Sequence, residues 1–279
     1  MNLWWTEDQT AGLRLGLRCR RVVSTAASPY QEVAVLDSVQ FGRVLTLDDM
    51  VMTTEGDEFV YHEMLVHPAM VTADAPRRVL IVGGGDGGAV REVLRHPSVT
   101  SVVLAELDEE VVRTCRRELP AIAGALGDPR VTLAFGDGAR YLAESADGAF
   151  DVILVDAPDP IGPAEVLFSS EFYAHAARVL APGGALCAQT ESPFLHADFI
   201  RRVQADLARA FPVVRLCWAV VPTYPGSMWT FSLASHGRDP LRHAVAPVAS
   251  LRYWSPEVHR AAFVLPPFVA ELLPQGSAL

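Results

Sequence analysis

The sequence predicts an α/β fold: a doubly wound, mostly parallel sheet preceded by a small N-terminal antiparallel β domain. Three observations carry that expectation. Residues 79–86 read Val-Leu-Ile-Val-Gly-Gly-Gly-Asp, an apolar β-branched run that enters a glycine loop. Such a run suits a strand buried on both faces. Further apolar runs recur at 102–105, 131–135 and 152–155, with helical stretches at 89–95, 109–119 and 139–144 interleaved. Alternating strands and helices imply a parallel sheet with right-handed crossovers. Acids stand at or just past the ends of these runs: Asp86, Glu106, Asp137, Asp156 and Asp159. Ligands bind outside the carboxyl ends of strands in such sheets, so these acids are expected at one edge. They would repel one another unless a cationic ligand were present.

The elements follow in order. Residues 13–23 and 31–36 alternate apolar and polar side chains, and 42–47 and 51–53 flank a turn at Asp48-Asp49-Met50. This is the expected β unit, 1–54, with Leu3, Trp4 and Trp5 free to pack on the main domain or another subunit. Residues 55–71 form a helix candidate containing Tyr61 and His62, with a break or kink expected after His67 at Pro68. The catalytic domain is then 55–279. Gly83, Gly85 and Gly88 give the spacing G-x-G-x-x-G, which permits a sharp turn and close approach to the backbone. Taken alone, that spacing also meets a purely steric need. Residues 157–164, with three prolines and a glycine, read as a stiff loop. A helix at 170–180, a strand at 185–189, a helix at 197–210 and two strands at 213–220 and 227–234 complete the sheet. A last helix candidate lies at 267–273.

Composition bounds the function. The chain has 279 residues, half of them hydrophobic, and a formal net charge of -10. That charge disfavours a nucleic-acid binder that relies on phosphate neutralisation and suits a cationic small substrate. Acidity also simply aids solubility. Cys19, Cys115, Cys187 and Cys217 are scattered without metal-ligand spacing and are expected as free thiols in a reducing cytoplasm. No basic segment followed by an apolar run opens the chain and no apolar stretch is long enough to span a bilayer, so neither a signal peptide nor a membrane partner is expected.

The motifs in sequence resemble those of bacterial spermidine synthases, within the polyamine aminopropyltransferases. They are Leu-Asp-Asp-Met-Val-Met-Thr-Thr-Glu at 47–55, Asp-Glu-Phe-Val-Tyr-His-Glu-Met at 57–64, Gly-Gly-Gly-Asp-Gly-Gly at 83–88 and Glu-Leu-Asp at 106–108. Gly-Asp-Pro-Arg-Val at 127–131, Gly-Asp-Gly at 136–138 and Asp-Pro-Ile-Gly-Pro-Ala at 159–164 follow. Ala-Gln-Thr-Glu-Ser-Pro at 188–193 and Pro-Thr-Tyr-Pro-Gly-Ser-Met-Trp-Thr-Phe at 222–231 complete a set that spans nearly the whole chain. The resemblance implies a methyltransferase-like catalytic domain, assembly as a homodimer or homotetramer, and aminopropyl transfer from decarboxylated S-adenosylmethionine. The implied acceptor is putrescine, giving spermidine and methylthioadenosine, with no metal or other cofactor.

Carried over by position, Asp156 resembles the proton acceptor and Glu106 the acid that holds the ribose hydroxyls. Asp137 and Gly138 resemble adenine contacts. Gln31, Pro163, Gly83 and Gly85 line the nucleoside site. Asp86, Tyr61, His62 and Asp159 resemble residues around the aminopropyl group and the acceptor, and Tyr224 lies with them. Between its two loop acids this chain has Ala157 and Pro158, where family members carry hydroxyl residues or cysteine and threonine.

These assignments make chemical sense. An amine with a pKa of roughly 10 is protonated at neutral pH, and a neighbouring carboxylate can take its proton. Asp86 would attract the ammonium of the decarboxylated donor and repel the carboxylate of S-adenosylmethionine itself. Asp86 could equally cap a helix, and Asp137 could simply hold a turn. Other readings are an aminopropyltransferase for agmatine, cadaverine or spermidine, an S-adenosylmethionine-dependent methyltransferase, a nicotinamide dehydrogenase, and a polyamine-binding protein without turnover.

Overall fold

In the computed structural model, residues 3–242 and 245–274 are described. The first five strands, β1 (Leu3–Thr10), β2 (Leu13–Ala27), β3 (Glu32–Ser38), β4 (Arg43–Leu47) and β5 (Met50–Thr54), form an antiparallel sheet in chain order. Alternation along β1 leaves Trp4 exposed and buries Glu7. That strand was expected only as a packing segment, because two adjacent tryptophans obscure its period-2 pattern. Asp48 and Asp49 both adopt positive φ, at 46° and 67°, and make the two-residue turn from β4 to β5. Asp48 also accepts the Glu32 N–H at 2.8 Å, which fixes the turn against β3.

Helix α1 (Glu58–Thr72) follows and is buried on nearly all sides. It runs through Pro68 and does not break after His67. Proline removes one helical hydrogen bond, but packing against α2 (Gly88–Val93) and the central sheet holds the helix together. At its end Thr72 donates to the Pro68 carbonyl at 2.6 Å.

The main sheet has seven strands: β6 (Arg78–Gly83), β7 (Ser101–Glu106), β8 (Val131–Phe135), β9 (Phe150–Asp156), β10 (Leu180–Gln189), β11 (Val213–Val220) and β12 (Met228–Ser235). Their order is β11-β12-β10-β9-β6-β7-β8. Strands β6 to β10 are parallel, and β12 pairs antiparallel with both β10 and β11. Leu80 and Ile81 are fully buried on opposite faces of β6. Each such side chain contributes about 1.5–3 kcal/mol of burial. The helices α3 (Glu109–Glu118), α4 (Pro120–Ala123), α5 (Gly138–Glu144), α6 (Ser170–Val179) and α7 (Ala197–Ala210) connect the strands.

Three boundaries differ from the sequence reading. β10 begins at Leu180, so the Ala-Pro-Gly-Gly segment is an irregularity within the strand and does not precede it. The expected loop winds into a 3-10 turn from Gly162 to Phe168. Near the C-terminus an unexpected helix α8 (Pro256–Ala262) precedes α9 (Pro267–Ala270), which is shorter than expected.

Candidate active site

The chain runs outward from β6 through β7 to β8, then returns to place β9 on the other side of β6. The strand order therefore reverses between β6 and β9, where ligands bind in open α/β sheets. Gly83 and Asp156 are register partners there, so the glycine loop and the acid stand side by side. Gly83 makes room for the neighbouring strand's backbone, and Gly85 and Gly88 for functional side chains. A Cβ at Gly83 would lie 2.2 Å from the Asp156 carbonyl oxygen, and one at Gly85 would lie 2.8 Å from a Glu106 carboxylate oxygen. A Cβ at Gly88 would lie 2.2 Å from the His62 ring.

Asp156 ends β9 with its two carboxylate oxygens in different situations. Oδ1 accepts the Tyr61 hydroxyl at 2.8 Å. Oδ2 is buried without a hydrogen-bond partner and faces Gly84. Burial pushes the Asp156 carboxyl up to about 6, with Asp86 adding to the rise and His62 and Tyr61 opposing it. The Tyr61 ring meets Tyr224 edge-on at 5.4 Å, and the Tyr224 hydroxyl donates to the Met52 carbonyl at 2.5 Å.

His62 is fully enclosed, with Nδ1 on Glu58 Oε2 at 2.6 Å and Nε2 facing Asp86 Oδ2 at 3.4 Å. Burial alone would discharge the ring, but Asp86 and Glu58 outweigh it and raise its pKa well above the ordinary histidine value. The repulsion expected among the acids is thus met by a cation of the protein itself. Asp86 is half-buried at the cleft, and the His62 charge, the Gly88 N–H and Arg91 hold its pKa below the usual aspartate value against the desolvation that would raise it. It accepts the Gly88 N–H at 2.8 Å, so it closes the start of α2 while facing the cleft. Both His62 ring nitrogens thus face carboxylates, one from α1 and one from the glycine loop.

The other side of the cleft is built around Glu106 and Asp108. Glu106 accepts the N–H groups of Gly85 at 3.0 Å and Asp108 at 2.9 Å. Burial still lifts its pKa to about 7, helped by Asp108 and Asp156. Asp108 accepts Gln31 Nε2 at 2.9 Å and Ser28 Oγ at 2.7 Å, which ties the N-terminal sheet to this edge. Asp137 is exposed and caps α5 through the Ala139 and Arg140 N–H groups. Gly138 lies against Val82, where a Cβ would clash at 2.6 Å. Pro163 is exposed in the 3-10 turn. A cavity of about 480 Å³ lined by Ser28, Tyr30, Leu107, Asp108, Phe135 and Gly136 borders this end, away from Asp156.

Asp159 was expected near the acceptor, but its two acidic neighbours, Glu191 and Glu7, escaped the sequence reading. Glu191, fully buried, interacts with Asp159, and Asp159 in turn acts on Glu7 of β1. Burial and Asp159 push the Glu191 carboxyl well above its ordinary value. Its Oε2 has no hydrogen-bond partner. Gln189 donates to the Ala157 carbonyl at 3.1 Å and so anchors the loop that carries Asp159. The Glu in Gln-Thr-Glu-Ser was a visible signal, but its partners lie far away in sequence.

The family profile described as "Spermine/spermidine synthase domain" matches residues 58–241. The chain belongs to the spermidine synthase family. A second profile, "Spermidine synthase tetramerisation domain", matches residues 3–55. A polyamine aminopropyltransferase of Thermoanaerobacter pseudethanolicus is 49% identical over 98% of this chain and 99% of its own length. That of Moorella thermoacetica is 47% identical over 97% and 96%. Among solved structures, a spermidine synthase in complex with the transition state analogue AdoDATO is similar at a TM-score of 0.94 and 36% identity, covering 97% of this chain and 94% of that one. Spermidine synthase from Thermotoga maritima gives a TM-score of 0.91 at 36% identity with the same coverage. The family's methyltransferase-like fold matches the sheet described above, and the chain is an aminopropyltransferase.

Proposed function

We propose that the acceptor is a primary diamine, putrescine first among them, and that Asp156 is the base. Aminopropyl transfer takes its group from decarboxylated S-adenosylmethionine. Asp156 removes a proton from the bound ammonium and frees the nitrogen lone pair. The nitrogen attacks the propyl carbon next to sulfur. A C–N bond forms, the C–S bond breaks, and its electron pair returns to sulfur. Methylthioadenosine leaves neutral, and the product carries the charge as a secondary ammonium. The sulfonium is already a good leaving group, so alignment and proton removal are what the protein supplies.

The observation that carries this reading is the unpartnered, buried Oδ2 of Asp156 beside the glycine loop. A carboxyl at about 6 is ionised at neutral pH and basic enough to accept a proton. A diamine has a second ammonium, and the string of Asp159, Glu191 and Glu7 suits it. Tyr61 and Tyr224 supply apolar walls between. Glu106, with Gln31, Asp137, Gly138, Gly83, Gly85 and Pro163, forms the nucleoside side. Asp86 meets the donor's ammonium, and His62 acts behind it.

Residues 1–54 are read as one domain and 55–279 as the catalytic one. The exposed Trp4, Leu13 and Val22 of β1 and β2 support assembly through the first sheet, as a dimer or tetramer. No helix among the described residues is long and apolar enough to cross a membrane. Cytoplasmic residence fits the four buried, unbridged cysteines. The test is Asp156→Asn assayed with putrescine by methylthioadenosine release. Turnover near that of the wild type would remove Asp156 as the base.

A further inference from the structure

The glycine-loop acids rest on a buried charge arrangement that reaches beyond the cleft. Glu58 opens α1 and is buried. Its Oε2 takes His62 Nδ1 at 2.6 Å. Arg91, on α2, grips the same carboxylate with both terminal nitrogens, at 3.0 Å to Oε1 and 2.8 Å to Oε2. A bidentate guanidinium fixes orientation as well as charge. Arg91 is held from behind by Glu92, whose Oε1 accepts its Nε at 2.7 Å. Glu92 in turn meets Arg95 at 2.7 Å and His67 at 3.2 Å. Glu58 meets the cleft through His62, and Arg91 adds its charge to Asp86 from behind.

We propose that Glu58 and Arg91 are positioning residues for aminopropyl transfer: their ion pair locks His62 as a fixed cation between Asp86 and Asp156. The proposal rests on the assignment of Asp86 and Asp156 made above. Two carboxylates at one strand edge oppose each other's ionisation, and a cation between them keeps both charged. A histidine with only Asp86 as partner, enclosed in protein, would exchange its proton with Asp156. The base would then be neutral when the amine arrives. Glu58 prevents this by giving the ring a second anionic partner, and Arg91 keeps Glu58 ionised and aimed. The groups facing His62 are Glu58 from α1, Asp86 from the loop after β6 and Asp156 from β9, with the Tyr61 ring meeting it edge-on at 5.2 Å. Gly88 is required because any side chain there would occupy the ring's position.

The double variant Glu58→Gln/Arg91→Met removes one charge of each sign, so the net charge of the site is kept. Buried ion pairs replaced by groups of similar volume are often tolerated. Two readouts apply. The first is the His62 ring titration by NMR: in the wild type the ring is protonated at pH 7, and in the double variant its titration moves down by about 1–3 pH units. The second is kcat/KM against pH: the acidic limb moves up by about 1 pH unit in the variant. A merely structural role would lower activity equally at every pH. Arg91→Lys, which keeps the charge without the fork, should fall between the two proteins.

A wild-type His62 that is neutral at pH 7 would overturn the proposal. So would a folded double variant whose limb and ring titration both match the wild type. If the double variant does not fold, the wild-type titration and Arg91→Lys decide by the same criteria. If instead Asp156→Asn keeps full turnover, the base assignment fails, and the ring titration alone then judges the clamp.

Discussion

Asp86→Asn tests how the enzyme tells its donor from S-adenosylmethionine, which differs by one carboxylate. Asp86 alone predicts a large preference. Two like charges about 4 Å apart cost roughly 4 kcal/mol at an effective dielectric constant near 20. The structure reduces that figure, because His62 Nε2 lies 3.4 Å from Asp86 Oδ2. Its charge would sit about 7 Å from the unwanted carboxylate and attract it by roughly 2 kcal/mol on the same scale. The net discrimination is about 2 kcal/mol, a factor of about 20–30 in affinity. Asn keeps the oxygen that accepts the Gly88 N–H and loses only the charge. The preference should then fall to about one, or invert to the extent that Glu58 alone keeps His62 charged. Calorimetry of both donors on both proteins gives the four dissociation constants. An unchanged ratio in Asp86→Asn would show that Asp86 only closes the start of α2 and that selectivity lies elsewhere.

The remaining expectations concern Asp156, Glu106 and the third glycine of the loop motif. Activity should fall as pH drops through about 6, because Asp156 then protonates and can no longer take the amine's proton. Asp156→Asn should lose about 10²–10⁴ in kcat while methylthioadenosine affinity stays within about twofold. Ribose hydroxyls donate to an ionised Glu106, whose carboxyl burial pushes up to about 7, so methylthioadenosine binding should weaken below that pH and release the proton carried by the fraction of free enzyme in which Glu106 is protonated. Calorimetry in two buffers of different ionisation enthalpy reads that linkage, and Glu106→Gln should abolish it and lose about 1.5–3 kcal/mol of binding. Gly88→Ala should displace His62 and reduce kcat by at least about tenfold, with methylthioadenosine binding nearly intact; unchanged kinetics would mean the ring does not need that space.

The central sheet was legible because its signals are local. Four apolar runs ending in Gly or acid, with helices between, fix a parallel order and bring Asp86, Glu106 and Asp156 to one edge. Pro68 does not break α1, because proline's local penalty is outweighed by the burial of the helix against the sheet and α2. The charge of His62 was not legible, since it depends on Glu58 and Asp86 enclosing the ring from two elements. Nor was the string of Glu7, Asp159 and Glu191, whose members come from β1, the loop after β9 and the end of β10. The glycine motif was legible as a turn but not in its purpose. Its first glycine clears the β9 backbone, and the other two admit the Glu106 carboxylate and the His62 ring rather than only a ligand.

The most direct test is product analysis with decarboxylated S-adenosylmethionine and a panel of amines: putrescine, cadaverine, agmatine and spermidine. The account predicts methylthioadenosine in equal amount to a new secondary amine, fastest with putrescine. Faster turnover of another amine would replace putrescine as the acceptor and leave the chemistry intact. Absence of methylthioadenosine with every amine, or methyl transfer from S-adenosylmethionine in its place, would contradict the account.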